Sequence, residues 1–202
     1  DLRRRLEQRG HRFKTHSDTE SIIHLYEEEG DACVEHLRGM FAFAIWDMPR
    51  RKLLLARDRL GKKPLFYGQS GDAFVFGSEL KALFAHPGMR KSVDWSFLDA
   101  YLALGYLPAP LTPFHDIQKL PQAHCLALED GKPPRIWRYW EPRYAPKREF
   151  DEAQALEELD HRLREAVRIR LRSDVPFGAF LSGGVDSSTV VTLMSQVLPT
   201  PV

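Results

Sequence analysis

Residues Ser182 to Ser188 read SGGVDSS, and this spacing of glycines, hydroxyls and one acid suits the binding of a pyrophosphate group. Gly183 and Gly184 allow a sharp turn and a close approach of the backbone to a ligand, because neither carries a Cβ atom. A helical pattern follows, and the N–H groups at the start of a helix direct partial positive charge at an anion. The hydroxyls add donors, and Asp186 offers a hard oxygen for Mg²⁺. The string therefore predicts a site for ATP with Mg²⁺.

An alternative interpretation of this string is a turn followed by a helix cap, which Gly-Gly and Asp-Ser-Ser would also form. The flanking residues favour the binding site, because residues 177–181 are an apolar run that predicts a buried strand. No GxxxxGKS or GxxxxGKT motif occurs in the chain, which excludes a Walker-type loop for γ-phosphoryl transfer. The string instead resembles the loop of the ATP pyrophosphatases, which activate a substrate as its adenylate. Asparagine, NAD, GMP and argininosuccinate synthetases share that loop.

The residues before the loop predict the elements that position it. Asp151 is expected to cap a long helix in which these apolar residues keep helical spacing: Leu156, Leu159, Leu163, Ala166, Val167 and Leu171. The arginines of this helix could form a phosphate patch, but the acids between them favour a solvated face. Helix, strand, phosphate loop and helix in this order predict the start of an α/β domain with a parallel sheet.

Composition gives no reason to expect a nucleic acid or a membrane as partner. The 202 residues are 43% hydrophobic and 28% charged, which suffices for one large or two small globular domains. Twenty-nine basic and 28 acidic side chains leave a formal charge of +1, so phosphate binding must be local. Cys33 and Cys125 match no metal or redox spacing, and neither a membrane-spanning run nor a signal peptide is recognisable. These features predict a cytoplasmic protein with reduced thiols.

The first 140 residues have a different texture, with short helical patterns and aromatic-rich strand patterns. A basic helix ends near Gln8, and Gly10 closes it. Residues 17–20 have the form of a capping box, in which Ser17 accepts an N–H and Glu20 reaches back to it. Strand patterns form hairpins over residues 40–57, 65–76 and 124–140, and helical patterns cover residues 78–84 and 94–104. The strands are apolar on both faces, so we expect a sheet covered on both sides.

A change of composition divides the chain. Residues 141–150 are rich in proline and charge, which is typical of a linker. We therefore predict a first domain over residues 1–140, a linker over 141–150 and a second domain over 151–202. Because the chain begins without methionine inside a predicted helix, and stops soon after the helix that follows the phosphate loop, we expect a piece of a longer protein.

Three segments of the first domain read HRFKTHSDTESIIHLYEEEGDACVEHLRGMFAFAIWD, LARDRLGKKPLFYG and FGSELKAL. Together they resemble the glutaminase domain of the N-terminal-nucleophile amidotransferases, an α+β fold whose sheets are covered by helices. Joined through a linker to RSDVPFGAFLSGGVDSS, they resemble asparagine synthetase of the glutamine-hydrolysing type over nearly the whole chain. The SDTE string alone is weak, since the glutaminase domain of glucosamine-phosphate synthase also has it, but that enzyme lacks the SGGxDSS loop.

The resemblance implies roles for individual residues. Asp18 would recognise the α-ammonium group of glutamine, whereas without the family it would only be an acid favoured in the first turn of a helix. The backbone of Leu181 would meet the adenine ring of ATP. The pyrophosphate and Mg²⁺ positions are matched by Ser182, Gly183, Gly184, Asp186, Ser187 and Ser188, with Asp186 as the metal ligand.

The resemblance places no catalytic nucleophile among these residues. The family uses an N-terminal cysteine whose own α-amino group serves as base, and neither Cys33 nor Cys125 occupies such a position. We interpret both cysteines as packing residues. The nucleophile is expected upstream of Asp1, and the second Mg²⁺ aspartate and the acceptor-binding residues are expected beyond Val202.

The resemblance implies that the whole protein is a two-site enzyme that forms a homodimer. Its first domain would hydrolyse glutamine, and its second domain would use MgATP to convert aspartate, through β-aspartyl-AMP, into asparagine. Three alternatives stay open: amination of another carboxylate, closure of a β-lactam ring beside an inactive glutaminase domain, and a truncated, non-catalytic interaction module. A cysteine at position 2 of the full open reading frame would favour amidotransfer.

Overall fold

The fold is described by a computed structural model for residues 2–149, 151–173, 175–176 and 178–198. The chain divides into two compact units, Asp1–Arg143 and Tyr144–Val202. The junction of the two units falls inside the predicted linker, and the domain bounds given above stay a prediction. Within the described ranges, no helix has the length and apolar character needed to cross a lipid bilayer.

Two helices pack together at the start of the first unit. The first helix, α1, spans Leu2–Gln8, and α2 spans Asp18–Glu29 before a 3-10 helix over Gly30–His36. As predicted, α1 ends just before Gly10, whose φ of 98° is a conformation that favours glycine. Leu6 of α1 is fully buried in the same core cluster as Leu25 of α2.

The strands of the first unit form two antiparallel sheets, with the orders β1-β2-β6-β7 and β4-β3-β5. Their bounds are Ala42–Asp47 (β1), Lys52–Arg57 (β2), Phe66–Ser70 (β3), Ala73–Gly77 (β4), Ile117–Lys119 (β5), His124–Glu129 (β6) and Arg135–Arg138 (β7). The three predicted hairpins are confirmed as β1–β2, β3–β4 and β6–β7. Strand β5 has no counterpart among the predicted strands, because three residues are too few to show an alternating pattern.

The centre of the larger sheet is buried on both faces. On one face of β2, Leu54 and Ala56 are fully buried in the cluster formed with α1 and α2. On the other face, Leu55 is fully buried with Leu65 and Tyr67. Successive residues of a strand point to opposite faces, so this alternation means that both faces are covered. The prediction of a sheet covered on both sides is correct for β2, whereas the edge strand β1 has intermediate and exposed positions.

The remaining helices of the first unit are short. The pattern over residues 78–84 yields a single turn, α3, at Leu80–Leu83. The pattern over residues 94–104 yields a 3-10 turn followed by α4 at Leu98–Leu104. Asp94 caps the 3-10 turn, and Gly105 ends α4 with a φ of 74°. The positions of these helices are therefore predicted correctly, although their regular parts are shorter than predicted.

The second unit contains α5 at Glu152–Arg168 and α6 at Val185–Val197. The predicted cap of α5 is confirmed, because Oδ1 of Asp151 accepts from the backbone N–H of Gln154 at 2.8 Å. The apolar stripe of α5 is covered only in part within the described residues. Val167 is buried in one cluster with Leu193 and Met194 of α6, while the more N-terminal Leu156 and Leu159 are 59% and 53% exposed.

The arginines of α5 face water, as the interleaved acids predict. Arg162 pairs with Glu158, and Arg164 pairs with Asp160, each one helical turn away. Such exposed pairs add little to helix stability, because water and salt screen the attraction between the charges. They indicate a solvated face rather than a phosphate patch.

The strand predicted for residues 177–181 is not formed. Residues 178–181 have no regular structure, Phe180 is fully exposed, and Leu181 is 63% exposed. A parallel strand needs hydrogen-bonded neighbours and cover on both faces. Among the described residues of this unit, only α5 and α6 have regular structure, so no neighbouring strand is present to pair with. Phe177, the first residue of that prediction, lies outside the described residues.

Candidate functional site

The SGGVDSS segment forms a tight turn that leads directly into α6. Gly183 has a φ of 81°, a left-handed conformation that residues with a Cβ rarely adopt. Gly184 is the N-cap of α6, with a φ of −80° and a ψ of 161°. The Oγ atoms of Ser182 and Ser187 lie 2.9 Å apart, and the Ser187 hydroxyl also lies 3.2 Å from the carbonyl oxygen of Gly184. These contacts close the turn over the first residues of the helix.

The outer surface of this turn is open to solvent. Leu181, Ser182, Gly183, Gly184 and Asp186 are exposed, and the next two serines are half-buried. The first backbone N–H groups of any α-helix have no carbonyl acceptor within the helix, and no side chain of the described residues caps those of α6. The turn therefore presents donors together with the positive end of a helix dipole, which is the arrangement that binds phosphate.

The backbone conformation of Gly184 does not require a glycine. Its φ is ordinary, and a Cβ placed there would meet only Oγ of Ser182 at 3.6 Å, which is a normal contact. Gly183 differs, because its positive φ requires glycine whatever the space around it. The two adjacent glycines therefore differ in what they contribute. Gly183 allows the chain to turn, and Gly184 leaves its backbone uncovered by a side chain, so that a ligand can approach it.

Asp186 fits the expected role of a metal ligand. It lies in the first turn of α6 and is exposed. Among the described residues, no hydrogen bond or ion pair engages its carboxylate. A carboxylate beside a phosphate-binding turn supplies the hard oxygen that Mg²⁺ prefers, so the donor set at this turn is compatible with that ion.

The second candidate residue, Asp18, begins α2 in the first unit. Ser17 caps the helix through its Oγ, which accepts from the backbone N–H of Thr19 at 3.2 Å. Asp18 is exposed at the N1 position, and no partner contacts its carboxylate within the described part of the chain. An exposed, unpaired carboxylate is available to bind a ligand's ammonium group, although it is equally compatible with a favourable interaction with the helix dipole alone.

The predicted capping box beside Asp18 is only half correct. Glu20 does not reach back to Ser17 but accepts from the backbone N–H groups of Lys14 and Thr15 at 2.6 and 2.7 Å. The Thr15 hydroxyl donates to the same carboxylate at 2.6 Å. These donors, with the Lys14 N–H as the largest contribution, lower the pKa of Glu20 to about 2. Glu20 therefore fixes the segment that leads into α2, instead of closing a local cap.

Both cysteines are buried, as packing residues would be. Cys33 and Cys125 are fully inaccessible within the core cluster that includes α1 and α2. Burial raises the pKa of each thiol to about 12. A protonated, inaccessible thiol is a poor nucleophile, so neither residue can start hydrolysis of an amide.

A second loop, residues 57–63, is held together by hydrogen bonds of its own side chains. Asp58 is 1% exposed, and its carboxylate accepts from the backbone N–H groups of Leu60, Lys62 and Lys63 at 2.9 to 3.1 Å. The alternation of acidic and basic residues in RDRLGKK gives no sequence signal for this arrangement. Only the buried position of Asp58 at the end of β2 reveals it.

Arg57 supports the same loop from its other side. Its guanidinium donates to the carbonyl oxygens of Lys63, Gly61 and Leu120 at 2.6 to 2.8 Å. A cleft of about 550 Å³ is lined in part by Arg57 and Lys119. Burial lowers the pKa of both cations, and both donate to backbone carbonyls. The two cations that line this cleft therefore already have backbone partners within the fold.

Comparison with known proteins extends these observations. Residues 1–140 match the sequence profile of the glutamine amidotransferase domain, and residues 158–202 match that of asparagine synthase. The chain is 44% identical over 196 residues to glutamine-hydrolyzing asparagine synthetase 3 of Bacillus subtilis, covering 96% of this chain and 31% of the relative. It is 41% identical over 187 residues to a putative glutamine-hydrolyzing asparagine synthetase 2 of Methanocaldococcus jannaschii, covering 91% of this chain and 36% of the relative.

The chain thus spans about a third of the length of the curated relatives that it matches. A solved structure of glutamine phosphoribosylpyrophosphate amidotransferase from Bacillus subtilis, complexed with ADP and GMP, aligns with a TM-score of 0.48 and 18% identity. The alignment covers 97% of this chain and 41% of the amidotransferase chain. The profile over residues 1–140 carries the assignment, and it agrees with the antiparallel sheets covered by helices that the first unit shows. The chain belongs to the glutamine amidotransferase domain family, and its final segment matches the asparagine synthase family.

Proposed function

We propose that this chain is part of a glutamine-dependent asparagine synthetase, with Asp18 in the glutamine site and residues 181–188 in the ATP site. One observation carries the proposal: a glutamine amidotransferase domain is joined to an asparagine synthase segment whose glycine turn opens, exposed, onto a helix N-terminus. The two relatives named above are both called glutamine-hydrolyzing asparagine synthetases, which supports the same activity here.

In the glutaminase reaction, Asp18 binds the α-ammonium group of glutamine. An exposed anion at the start of α2 selects a small zwitterionic amino acid over a neutral amide. The attacking thiolate must come from another cysteine, because Cys33 and Cys125 are inaccessible and protonated. The products are ammonia and a γ-glutamyl thioester, which water hydrolyses to glutamate.

In the synthetase reaction, the SGGVDSS turn holds the pyrophosphate part of ATP. The β-carboxylate of aspartate attacks the α-phosphorus, and the bond to the bridging oxygen of pyrophosphate breaks. Backbone N–H groups at the start of α6 and the serine hydroxyls stabilise the charge that develops on the departing pyrophosphate. The backbone of Leu181 lies beside the adenine. Ammonia then displaces AMP from β-aspartyl-AMP and gives asparagine.

Asp186 is the residue of this turn that would hold Mg²⁺. The ion, when bound, offsets part of the negative charge of the triphosphate. Asp186 contributes a carboxylate at the helix start, where it is exposed and free of protein partners among the described residues. The serine hydroxyls and the backbone N–H groups are then left to orient the phosphates.

The experiment that tests this function measures products of the full-length protein with glutamine, aspartate and MgATP. We expect glutamate, asparagine, AMP and pyrophosphate in equal amounts. ADP and phosphate in place of AMP and pyrophosphate would contradict the adenylation chemistry. Pyrophosphate release that requires a carboxylic acid other than aspartate would assign another acceptor, and absence of turnover with every acceptor would favour an interaction module.

The role of Asp18 is tested by Asp18→Ala in the same protein. We expect a strongly raised KM for glutamine and nearly unchanged synthesis from ammonium chloride, because only the glutamine site loses a contact. Asp72→Ala removes another exposed aspartate, in the β3–β4 turn, and serves as the matched control. Equal losses of both activities would show instead that Asp18 supports the start of α2.

A further inference from the structure

Two histidines and a glutamate of α2 and of the segment before it come together, and none of the three has a role assigned above. His11 lies in the connection between the two helices, and His24 and Glu27 lie one turn apart on α2. Potential ligand atoms of these three residues all lie within 4.8 Å of one another. The imidazoles of His11 and His24 are mostly buried, at 19% and 15% exposure, whereas Glu27 is 55% exposed.

The distances between these atoms match the edges of a metal-binding triangle. Nδ1 of His11 lies 3.1 Å from Nδ1 of His24. Oε2 of Glu27 lies 2.8 Å from the His24 atom and 3.5 Å from the His11 atom. Ligands at about 2.0–2.1 Å from a tetrahedral Zn²⁺ are separated by about 3.3 Å, which falls within this range.

Hydrogen bonds alone do not satisfy this arrangement. A single proton on Nδ1 of His24 can serve both Nδ1 of His11 and the carboxylate of Glu27, but protons on both Nδ1 atoms would oppose each other at 3.1 Å. With that proton in place, Nε2 of His24 is buried without a hydrogen-bond partner among the described residues. A cation accepts all three lone pairs at once, so that neither Nδ1 atom needs a proton.

For one of the two rings, the surroundings supply the second contact that metal-binding histidines usually make. Nε2 of His11 lies 3.0 Å from Oε1 of Glu28, so the far side of this ring can donate to a carboxylate. Nε2 of His24 lies 3.8 Å from Oε1 of Glu20, which is too far for a hydrogen bond, so this carboxylate acts on the ring only through its charge. Arg9 pairs with Glu28 and offsets part of this negative charge. The three carboxylates around the two rings belong to Glu20, Glu27 and Glu28, and their negative charge exceeds the positive charge of Arg9. This excess favours binding of a metal ion.

We propose that His11, His24 and Glu27 form a Zn²⁺ site, with Nδ1, Nδ1 and Oε2 as the ligand atoms. Two imidazoles and one carboxylate are a ligand set that Zn²⁺ accepts, and the exposed side of Glu27 leaves the fourth position to water. The bound ion links the α1–α2 connection to two successive turns of α2. It thereby fixes the segment that Glu20 already holds from its other end.

Calorimetric titration of ZnCl2 into the tag-free, chelator-treated chain tests the site. We expect one Zn²⁺ per chain, a melting temperature that rises with ZnCl2, and visible d–d bands of a tetrahedral ion when CoCl2 replaces zinc. His24→Ala and Glu27→Gln should abolish this binding, and Glu28→Gln should weaken it roughly 10- to 100-fold, since it removes only an outer contact.

His36→Ala is the matched control, because His36 also pairs with a glutamate, Glu29 at 2.8 Å, but contributes nothing to the cluster. It should bind Zn²⁺ as the original chain does. If His24→Ala is misfolded by circular dichroism, the exposed Glu27→Gln decides. Absence of binding by the folded chain, or Zn²⁺ binding that Glu27→Gln and His24→Ala leave unchanged, would overturn the proposal.

Discussion

Two loops of this chain each combine aspartate with glycine, but only one of them has its polar groups satisfied by the fold. In residues 57–63, the carboxylate of Asp58 is buried and accepts three backbone N–H groups, and Arg57 donates to three carbonyls. In residues 182–188, Asp186 is exposed without a protein partner among the described residues, and the first N–H groups of α6 have no side-chain cap. Both loops contain glycine, aspartate and hydrogen-bonding side chains at close spacing.

The difference separates a loop whose polar groups are satisfied by the fold from one whose polar groups stay available to a ligand. A polar group that already has partners can bind a ligand only by losing them, and leaving a buried group unpaired costs roughly 1–3 kcal/mol. The loop of residues 57–63 is therefore scaffold, despite its charge. The loop of residues 182–188 leaves the first N–H groups of α6 and the carboxylate of Asp186 without side-chain partners among the described residues, so we expect its substitutions to affect ligand binding more than folding.

The largest effect is expected for Asp58→Ala. Loss of this carboxylate leaves three backbone N–H groups without their acceptor, which should lower the free energy of unfolding by about 4 kcal/mol. Urea unfolding of the chain measures it, with the exposed Asp72→Ala as control. A loss no larger than that of the control would show that the loop is not completed by Asp58.

Asp186→Ala should show the opposite behaviour. In the full-length protein we expect pyrophosphate release to fall about a hundredfold, or about 3 kcal/mol, because charge compensation for the leaving group is lost. The melting temperature should change little, and glutamate release from glutamine should persist. Unchanged pyrophosphate release would reduce SGGVDSS to a turn and a helix cap.

Substitutions of the two adjacent glycines should separate shape from access. Gly183→Ala forces a Cβ onto a φ of 81° and should destabilise the second unit by about 1 kcal/mol. Gly184→Ala meets no close atom, so it should leave unfolding unchanged while weakening ATP binding, measured by calorimetry on the full-length protein. Equal effects of the two variants on stability would contradict this division.

The smallest effect is expected for the contribution of Glu20 to stability at low pH. Its pKa is lowered from 4.5 to about 2 by its hydrogen bonds, so its ionised form stabilises the fold above pH 4.5 and this contribution disappears as the pH falls to 2. Glu20→Gln should therefore lower the melting temperature slightly at neutral pH, and the difference from the original chain should vanish near pH 2. A difference that stays constant with pH would indicate a packing effect.

Local signals in the sequence predicted much of this fold. The cap at Asp151, the stop at Gly105 and the hairpins follow from residue types that act within a few positions. The strand predicted for residues 177–181 is not formed over residues 178–181, because apolar character does not provide a neighbouring strand to pair with. Glu20 accepts from Lys14 and Thr15 rather than from Ser17, because the connection from α1 folds back onto it. The His11–His24 pair and the role of Asp58 depend on tertiary position, which spacing alone does not reveal.

The contacts of Arg57 also have a consequence for synthesis of the chain. Its guanidinium binds the carbonyl of Leu120, 63 residues later, and its own carbonyl accepts from the Tyr139 hydroxyl, 82 residues later. A nascent chain lacks these partners until residue 139 has left the ribosome, so loop 57–63 can complete its hydrogen bonds only at the end of this unit's translation. Contacts of such sequence separation slow folding. The first unit is therefore expected to fold late and all at once, and chains that stop before Tyr139 should be targets for proteolysis.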